Sequence, residues 1–119
     1  MSQSASQAAA FYREVARSGK VWTIRDPGGY PAPLNTSGER AQPFWSTRRR
    51  VEKIISTVAA YSEFEPVEIL WSDFVERWVP GLLRDNILVG VNWSGARAVG
   101  YDVKPDQVAR NVDAVRGKS

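Results

Sequence analysis

The chain of 119 residues contains neither cysteine nor histidine. Without cysteine it has no disulfide, no thiolate metal site and no cysteine nucleophile. Without histidine it lacks the commonest metal ligand and the usual general base. These absences lead us to expect no cofactor, no metal site and no catalytic residue. An enzyme that works through carboxylate or hydroxyl groups is the least favoured interpretation.

Long apolar runs are also missing, since none approaches the ~20 residues that a membrane-spanning helix needs. The first ten residues show no basic segment followed by an apolar one, as a secretory signal would. We therefore expect a cytoplasmic protein that does not associate with membranes. The net charge is +3, from 16 Lys and Arg against 13 Asp and Glu. This mild excess permits an acidic partner without requiring one.

The composition that remains is that of one compact domain. Hydrophobic residues make up 43% of the chain and charged residues 24%, which is ordinary for a folded globular protein. The length suits a single domain over residues 1–119. We expect only its ends, residues 1–7 and 116–119, to be frayed.

Apolar periodicity and turn signals predict helices separated by pairs of strands. A first helix is expected to end at Gly19, a second to follow a Ser46 cap, a third to follow a Ser72 cap, and a fourth to begin at Pro105. Strands are predicted over 21–25, 30–34, 41–45, 66–71, 87–93 and 98–103, with 87–93 at the centre of the sheet. The paired strands favour an α+β fold: a largely antiparallel or mixed sheet of about five or six strands with about four helices packed on it.

The dipeptide Trp-Ser occurs three times, at 45–46, 71–72 and 93–94. At the first two places we interpret it as a core tryptophan that ends a strand and a serine that caps the next helix. The third enters a turn, where a core or turn role is favoured and Trp93 with Ser94 forms a candidate exposed anchor as the alternative. The predicted core contains Trp22, Trp45, Ile69, Trp71, Trp78, Val89 and Val91.

Three consecutive arginines, Arg48, Arg49 and Arg50, open the second predicted helix. The helix dipole disfavours cations at that end, so this cluster is a candidate contact for an anion or a partner. The simpler interpretation is a solvated face in which Arg48 pairs with Glu52 one turn later. Binding of nucleic acid is disfavoured because the chain shows no known nucleic-acid-binding motif.

An acidic stretch without basic residues runs from Glu63 to Glu76. Its carboxylates lack the spacing of a calcium loop, so metal binding and acid catalysis are not favoured. We expect them instead to oppose the arginine-rich helix, within the chain or across a self-association interface.

Five segments together resemble a bacterial family of small proteins known only as domain of unknown function 2750. They are 21–26, 28–35, 43–46, 64–67 and 89–95, and the similarity extends from the first helix to the last. The resemblance implies a small, single-domain prokaryotic protein without an assigned activity and without catalytic residues to carry over.

A looser likeness is to the N-terminal domain of the enhanced-serine-sensitivity protein B type. It rests on residues 44–47 and 92–95, where Trp93 replaces the proline that usually follows the asparagine. This likeness implies an accessory or protein-interaction module of the kind found near secretion and toxin-immunity genes.

Taken together, these observations favour a non-catalytic protein-interaction or accessory module, of which a toxin-immunity protein is one form. Its partner would be an unidentified protein or a second copy of the chain. The alternative is an anion- or nucleic-acid-binding protein that uses the Arg48–Arg50 helix start. Tight binding to duplex DNA that is lost when these arginines are replaced would favour the alternative.

Overall fold

A computed structural model describes residues 2–117. Within them lie four helical segments and five strands. In chain order they are α1 (Gln3–Ser18), β1 (Lys20–Arg25), β2 (Arg40–Phe44), α2 (Arg48–Thr57), β3 (Glu65–Leu70), α3, β4 (Ile87–Ser94), β5 (Val99–Val103) and α4 (Pro105–Arg116). The α3 segment is continuous but irregular, and consists of Trp71–Asp73, a π-helical turn over Phe74–Trp78, and Val79–Arg84. A short 3₁₀ turn, Ala59–Tyr61, follows α2.

The strands form two small sheets. In one, β4 lies between β2, which is parallel to it, and β5, which is antiparallel. In the other, β1 and β3 pair antiparallel. Trp22 and Trp45 join the sheets through two backbone hydrogen bonds, N–H to O=C, of 2.8 and 2.7 Å. The α+β class and the mixed strand directions are confirmed, but the five strands are divided between two sheets.

The predicted strand over 30–34 does not form. Pro31 and Pro33 have no backbone N–H, so this segment cannot complete a ladder. It instead offers the Pro33 carbonyl to the Ala41 N–H at 3.1 Å, and Leu34 forms a single bridge with Arg40. The segment therefore covers the outer edge of β2 without being a strand itself.

The predicted serine caps were both wrong. Thr47 caps α2, since its side chain accepts the Arg50 N–H at 3.2 Å, while Ser46 is buried against other partners. The third helix begins at Trp71, so Ser72 lies inside it. Gly19, with φ of 70°, ends α1 in the left-handed conformation as expected.

The π turn in α3 has a local cause. Pro80 lacks the N–H that would bond to the carbonyl of Glu76, and the Val79 N–H bonds five residues back to Phe74. The extra residue shifts the phase of the helix, and Val75 is exposed.

Helices extend into both ends of the chain, residues 1–7 and 116–119, that we expected to be frayed. The helix α1 already begins at Gln3, and the Ser2 hydroxyl accepts the Ala5 N–H at 3.1 Å. At the other end α4 extends to Arg116. Residues 1, 118 and 119 lie outside the described part of the chain.

The core has two parts. The larger packs α1, α3 and α4 against β2 and β4, and the smaller lies beneath α2 around Trp45, Val51, Ile54 and Trp93. Of the predicted core residues, Trp22 and Trp78 are half-buried and the others are buried. Within residues 2–117 no helix is both long and apolar enough to cross a membrane.

A candidate binding pocket beside the start of α2

An open pocket of about 340 Å³ lies between the N-terminal part of α1, one side of α2, and the turn that joins β4 to β5. It brings together Arg50 and the Trp93–Ser94 pair, which the sequence analysis singled out separately. Arg48 and Arg49 do not line it. Its walls are Gln3, Gln7, Trp45, Arg50, Lys53, Ile54, Thr57, Asn92, Trp93, Ser94, Gly95 and Ala96.

Arg50 is held by residues of α1. Its Nε and Nη2 donate to the two carboxylate oxygens of Glu14 at 2.9 and 3.1 Å, and its Nη1 donates to Gln7 at 2.7 Å. The hydrogen bonds from Arg50 lower the pKa of the Glu14 carboxyl, although partial burial opposes them; a hydrogen bond from Ser46 and the charge of Arg13 lower it further. Glu14 thus balances the charge of Arg50, and Glu14 and Gln7 together fix the orientation of its side chain.

Asn92 is the centre of a buried hydrogen-bond network that shares Gln7 and Glu14 with Arg50. Its Oδ1 accepts the Ser46 N–H at 2.9 Å, and its Nδ2 donates to the Ser46 Oγ at 3.0 Å and to the Gln7 carbonyl at 3.2 Å. The Ser46 hydroxyl donates to Glu14 at 2.6 Å. One continuous network therefore links α1, the entry to α2, and β4.

A β-bulge places Asn92 in this position. The pairing of β4 with β5 shifts register between Val91 and Ser94, so that two residues of β4 oppose Gly100 alone. Asn92 has a φ of 50°, in the left-handed region that asparagine tolerates better than most residues. The bulge directs the Asn92 amide toward α1, and its hydrogen bonds hold the backbone there.

Trp93 is not an exposed anchor, because its side chain is only 7% accessible. The ring covers Gly90 and Gly100, and a Cβ atom at Gly90 would overlap it. The Nε1 donates to Asp102 at 3.0 Å, and the Trp93 carbonyl accepts the Trp45 Nε1 at 2.9 Å. Trp93 forms an inner wall of the pocket, and the half-buried Ser94 lines it next to the exposed Gly95 and Ala96.

The three consecutive arginines point in different directions. Arg48 pairs with Glu52 at 3.1 Å, as predicted, and lies 5.7 Å from the centre of the Trp22 ring. Arg49 is exposed and, among residues 2–117, forms no ion pair. Because Arg50 faces α1, the helix start does not present one convergent cluster.

Within residues 2–117 the acidic stretch forms no ion pair with these arginines. Glu68 pairs with Lys20 on the neighbouring strand at 2.8 Å, while the partners of Arg48 and Arg50 come from α2 and α1. In the part of the chain that the structure describes, no three carboxylates gather into a possible metal site.

The ionisable residues that line the pocket are both cationic, Arg50 and Lys53. Lys53 is exposed and forms no ion pair with any residue from 2 to 117. The sequence analysis missed Lys53, Asn92, Gln7 and Glu14. Lys53 could have been found, since it lies three residues after Arg50 and so on the same side of α2. The other three come from distant parts of the chain.

The structure defines a small α+β protein with a candidate binding pocket. Comparison with known families identifies the family of the chain. Residues 8–112 match the family described as protein of unknown function (DUF2750), so the chain belongs to that family, as the resemblance indicated. No curated protein matches the sequence significantly. The looser likeness to the enhanced-serine-sensitivity type stays a prediction.

Proposed function

We propose that this protein is a non-catalytic binding module, and that the pocket beside α2 holds a carboxylate group carried by a partner protein. The observation that carries the proposal is the pocket's lining, which combines hydrogen-bond donors and apolar walls with Lys53, a cation that forms no ion pair within residues 2–117. Such a lining attracts an anion and offers it directional contacts. A cytoplasmic location, which the lack of cysteine permits, stays a prediction.

The two cations have different roles in the proposal. Arg50 is committed to Glu14 and Gln7, and its part is to keep the α1 wall in place. Lys53 is the group that pairs with the incoming carboxylate. The Ser94 side chain supplies a hydroxyl donor, whereas the Thr57 hydroxyl already donates to the Lys53 carbonyl at 2.7 Å. Trp45, Ile54 and Trp93 supply the apolar walls against which the rest of the ligand packs.

The absence of catalysis is also part of the proposal. Acid–base chemistry at neutral pH needs a group whose proton moves within hydrogen-bond reach of the substrate. Glu14, the nearest carboxylate in the network, is held by Arg50 and Ser46, and these bonds favour its ionised state. A carboxylate held in this way orients other residues and is a poor proton donor.

The test uses small carboxylic acids and their neutral amides as paired probes. We expect acids with an aromatic or aliphatic body, such as phenylacetate and hexanoate, to shift the NMR signals of the Lys53 and Ser94 amides and of the Trp45 indole N–H. Phenylacetamide and hexanamide should cause weaker shifts. An exposed charge pair contributes up to about 1 kcal/mol, so Lys53→Gln should weaken the binding of the acids by about threefold to fivefold.

Arg49→Gln is the matched control, because it removes the same charge from the same helix without altering the pocket lining. It should leave the affinity for the acids within experimental error. Equal binding of the amides and the acids, or equal loss in the two variants, would contradict the proposal.

A further inference from the structure

The strand β5 has an open edge. Among residues 2–117 it pairs with β4 alone, and no backbone group of Val99–Val103 bonds to any residue outside that pair. Its outer row of N–H and C=O groups is therefore free to receive another strand.

The other sheet edges differ from β5. The outer edge of β2 is covered by the Pro33 carbonyl and by the bridge from Trp22 to Trp45. The outer edge of β3 carries Pro66 and the acidic residues Glu65 and Glu68, features that prevent another strand from pairing. The described part of β5 has neither a proline nor a lysine, and its one carboxylate, Asp102, turns inward to Trp93 and Asn35.

The side chains of β5 add an apolar surface to this open edge. Val99 and Tyr101, at alternate positions of the strand, are 58% and 45% exposed. An open groove of about 480 Å³ borders Val99, Gly100 and Asp102, and its other walls include Tyr61 and the exposed Leu34. An added strand could place its own apolar side chains over these residues.

The charges at the two ends of β5 indicate which kind of partner strand could pair with it. Arg97 and Lys104 flank the strand, both are exposed, and neither forms an ion pair within residues 2–117. If β5 paired antiparallel with itself around Tyr101, Arg97 of one copy would lie beside Lys104 of the other. Like charges at both ends disfavour a second copy as the occupant, whereas acidic residues at both ends of a partner strand would be favourable.

We propose that β5 is a docking edge for an extended segment of a partner protein, with apolar residues at alternate positions and an acidic residue at each end. The segment adds a fourth strand next to β5 and extends the order β2-β4-β5. This surface is separate from the Lys53 pocket, and the proposal does not depend on it.

The probe is a short synthetic peptide that alternates valine with threonine and has glutamate at both ends. We expect it to shift the amide NMR signals of Val99–Val103 and to slow their hydrogen exchange. A peptide of the same sequence with N-methylated alternate amides keeps the side chains but loses the backbone hydrogen bonds, and it should show no binding. If both peptides bind equally, strand addition is wrong.

Variants test the charges. The double variant Arg97→Gln/Lys104→Gln should weaken the peptide by about threefold to tenfold, since each exposed pair contributes up to about 1 kcal/mol. Lys20→Gln, on the other sheet, and Lys53→Gln, in the pocket, should leave the affinity unchanged. Unchanged binding by the double variant would contradict the proposal that the partner segment has an acidic residue at each end. Dimerisation of the free protein through β5, seen by sedimentation and abolished by Val99→Lys, would overturn the choice of partner in favour of a second copy.

Discussion

The two sides of the first turn of α2 place the same residue type in opposite situations. Arg50 faces α1, is 29% exposed, and makes hydrogen bonds to Glu14 and Gln7. Arg48 faces solvent, is 66% exposed, and pairs with Glu52 on its own helix. Residues two apart on a helix point about 200° away from each other. A charged run in a sequence is therefore not one functional unit until the helix beneath it is placed.

The ion pairs of these two arginines also differ in strength. The Glu14–Arg50 pair has two hydrogen bonds, is three-quarters buried, and connects to Ser46 and Asn92. The Arg48–Glu52 pair is single and screened by water, which limits such pairs to about 0.3–0.5 kcal/mol. The first pair organises the wall of the pocket, and the second contributes little more than solubility.

The largest loss of stability is expected at Asn92, the centre of the hydrogen-bond network that also includes Glu14. Asn92→Ala removes the bonds to Ser46 and Gln7 and leaves alanine in the left-handed conformation. Buried polar groups left without partners and backbone strain together should lower the free energy of unfolding by about 3 kcal/mol. Chemical denaturation measures this change.

Asn92→Gly divides that effect into its two causes. Glycine accepts a positive φ without strain, so it should recover about 1 kcal/mol relative to alanine while still lacking the amide. If glycine and alanine are equally destabilising, backbone strain does not contribute at this position.

The next effect compares the two arginines directly. Within residues 2–117, Arg50→Gln leaves Ser46 as the remaining hydrogen-bond donor to Glu14. We expect a loss of about 1–2 kcal/mol, discounted because both side chains are about a quarter exposed. Arg48→Gln should cost less than about 0.5 kcal/mol. Thermal and chemical denaturation of both variants tests the comparison, and equal losses would contradict it.

A smaller effect should appear as pH dependence. The pKa of Glu14 is lowered in the folded protein, chiefly by hydrogen bonds from Arg50, so its ionised form stabilises the fold. This contribution is complete above the ordinary glutamate pKa of about 4.3 and is lost as the pH falls through the lower folded value. The stability difference between wild type and Glu14→Gln should therefore be constant above pH ~5 and shrink below pH ~4.

Local patterns in the sequence predicted local structure well. Gly19 ends α1, Arg48 pairs with Glu52, and the apolar run 87–93 lies at the centre of its sheet. Each of these depends on residues close in sequence or on the burial of one continuous segment. Propensity and periodicity report such features because they act within a few residues.

Contacts between residues far apart in the sequence determine the features that could not be predicted. Ser46 has the right chemistry for a helix cap, but Asn92, 46 residues later, bonds to it instead and leaves the cap to Thr47. Glu14 and Arg50 are 36 residues apart, and they meet only because the fold brings the first turn of α2 within reach of α1. Neither partnership leaves a spacing signal in the sequence, and so most of the pocket could not be predicted.

The smallest effect concerns the arginines that remain on the solvent side. If the start of α2 bound nucleic acid, replacing Arg48 and Arg49 by glutamine would remove two phosphate contacts and reduce the log–log salt slope of binding by ~2 units. We expect a change below ~0.5 unit, because Arg48 is already paired with Glu52 and Arg49, which forms no ion pair within residues 2–117, is a single exposed charge. Fluorescence anisotropy with a labelled DNA duplex over a salt series measures the slope, and the double variant spares Arg50, so the network with Glu14 stays intact. Wild-type affinity tighter than ~1 μM near 0.15 M salt, lost in the double variant, would show instead that the solvent side carries the function.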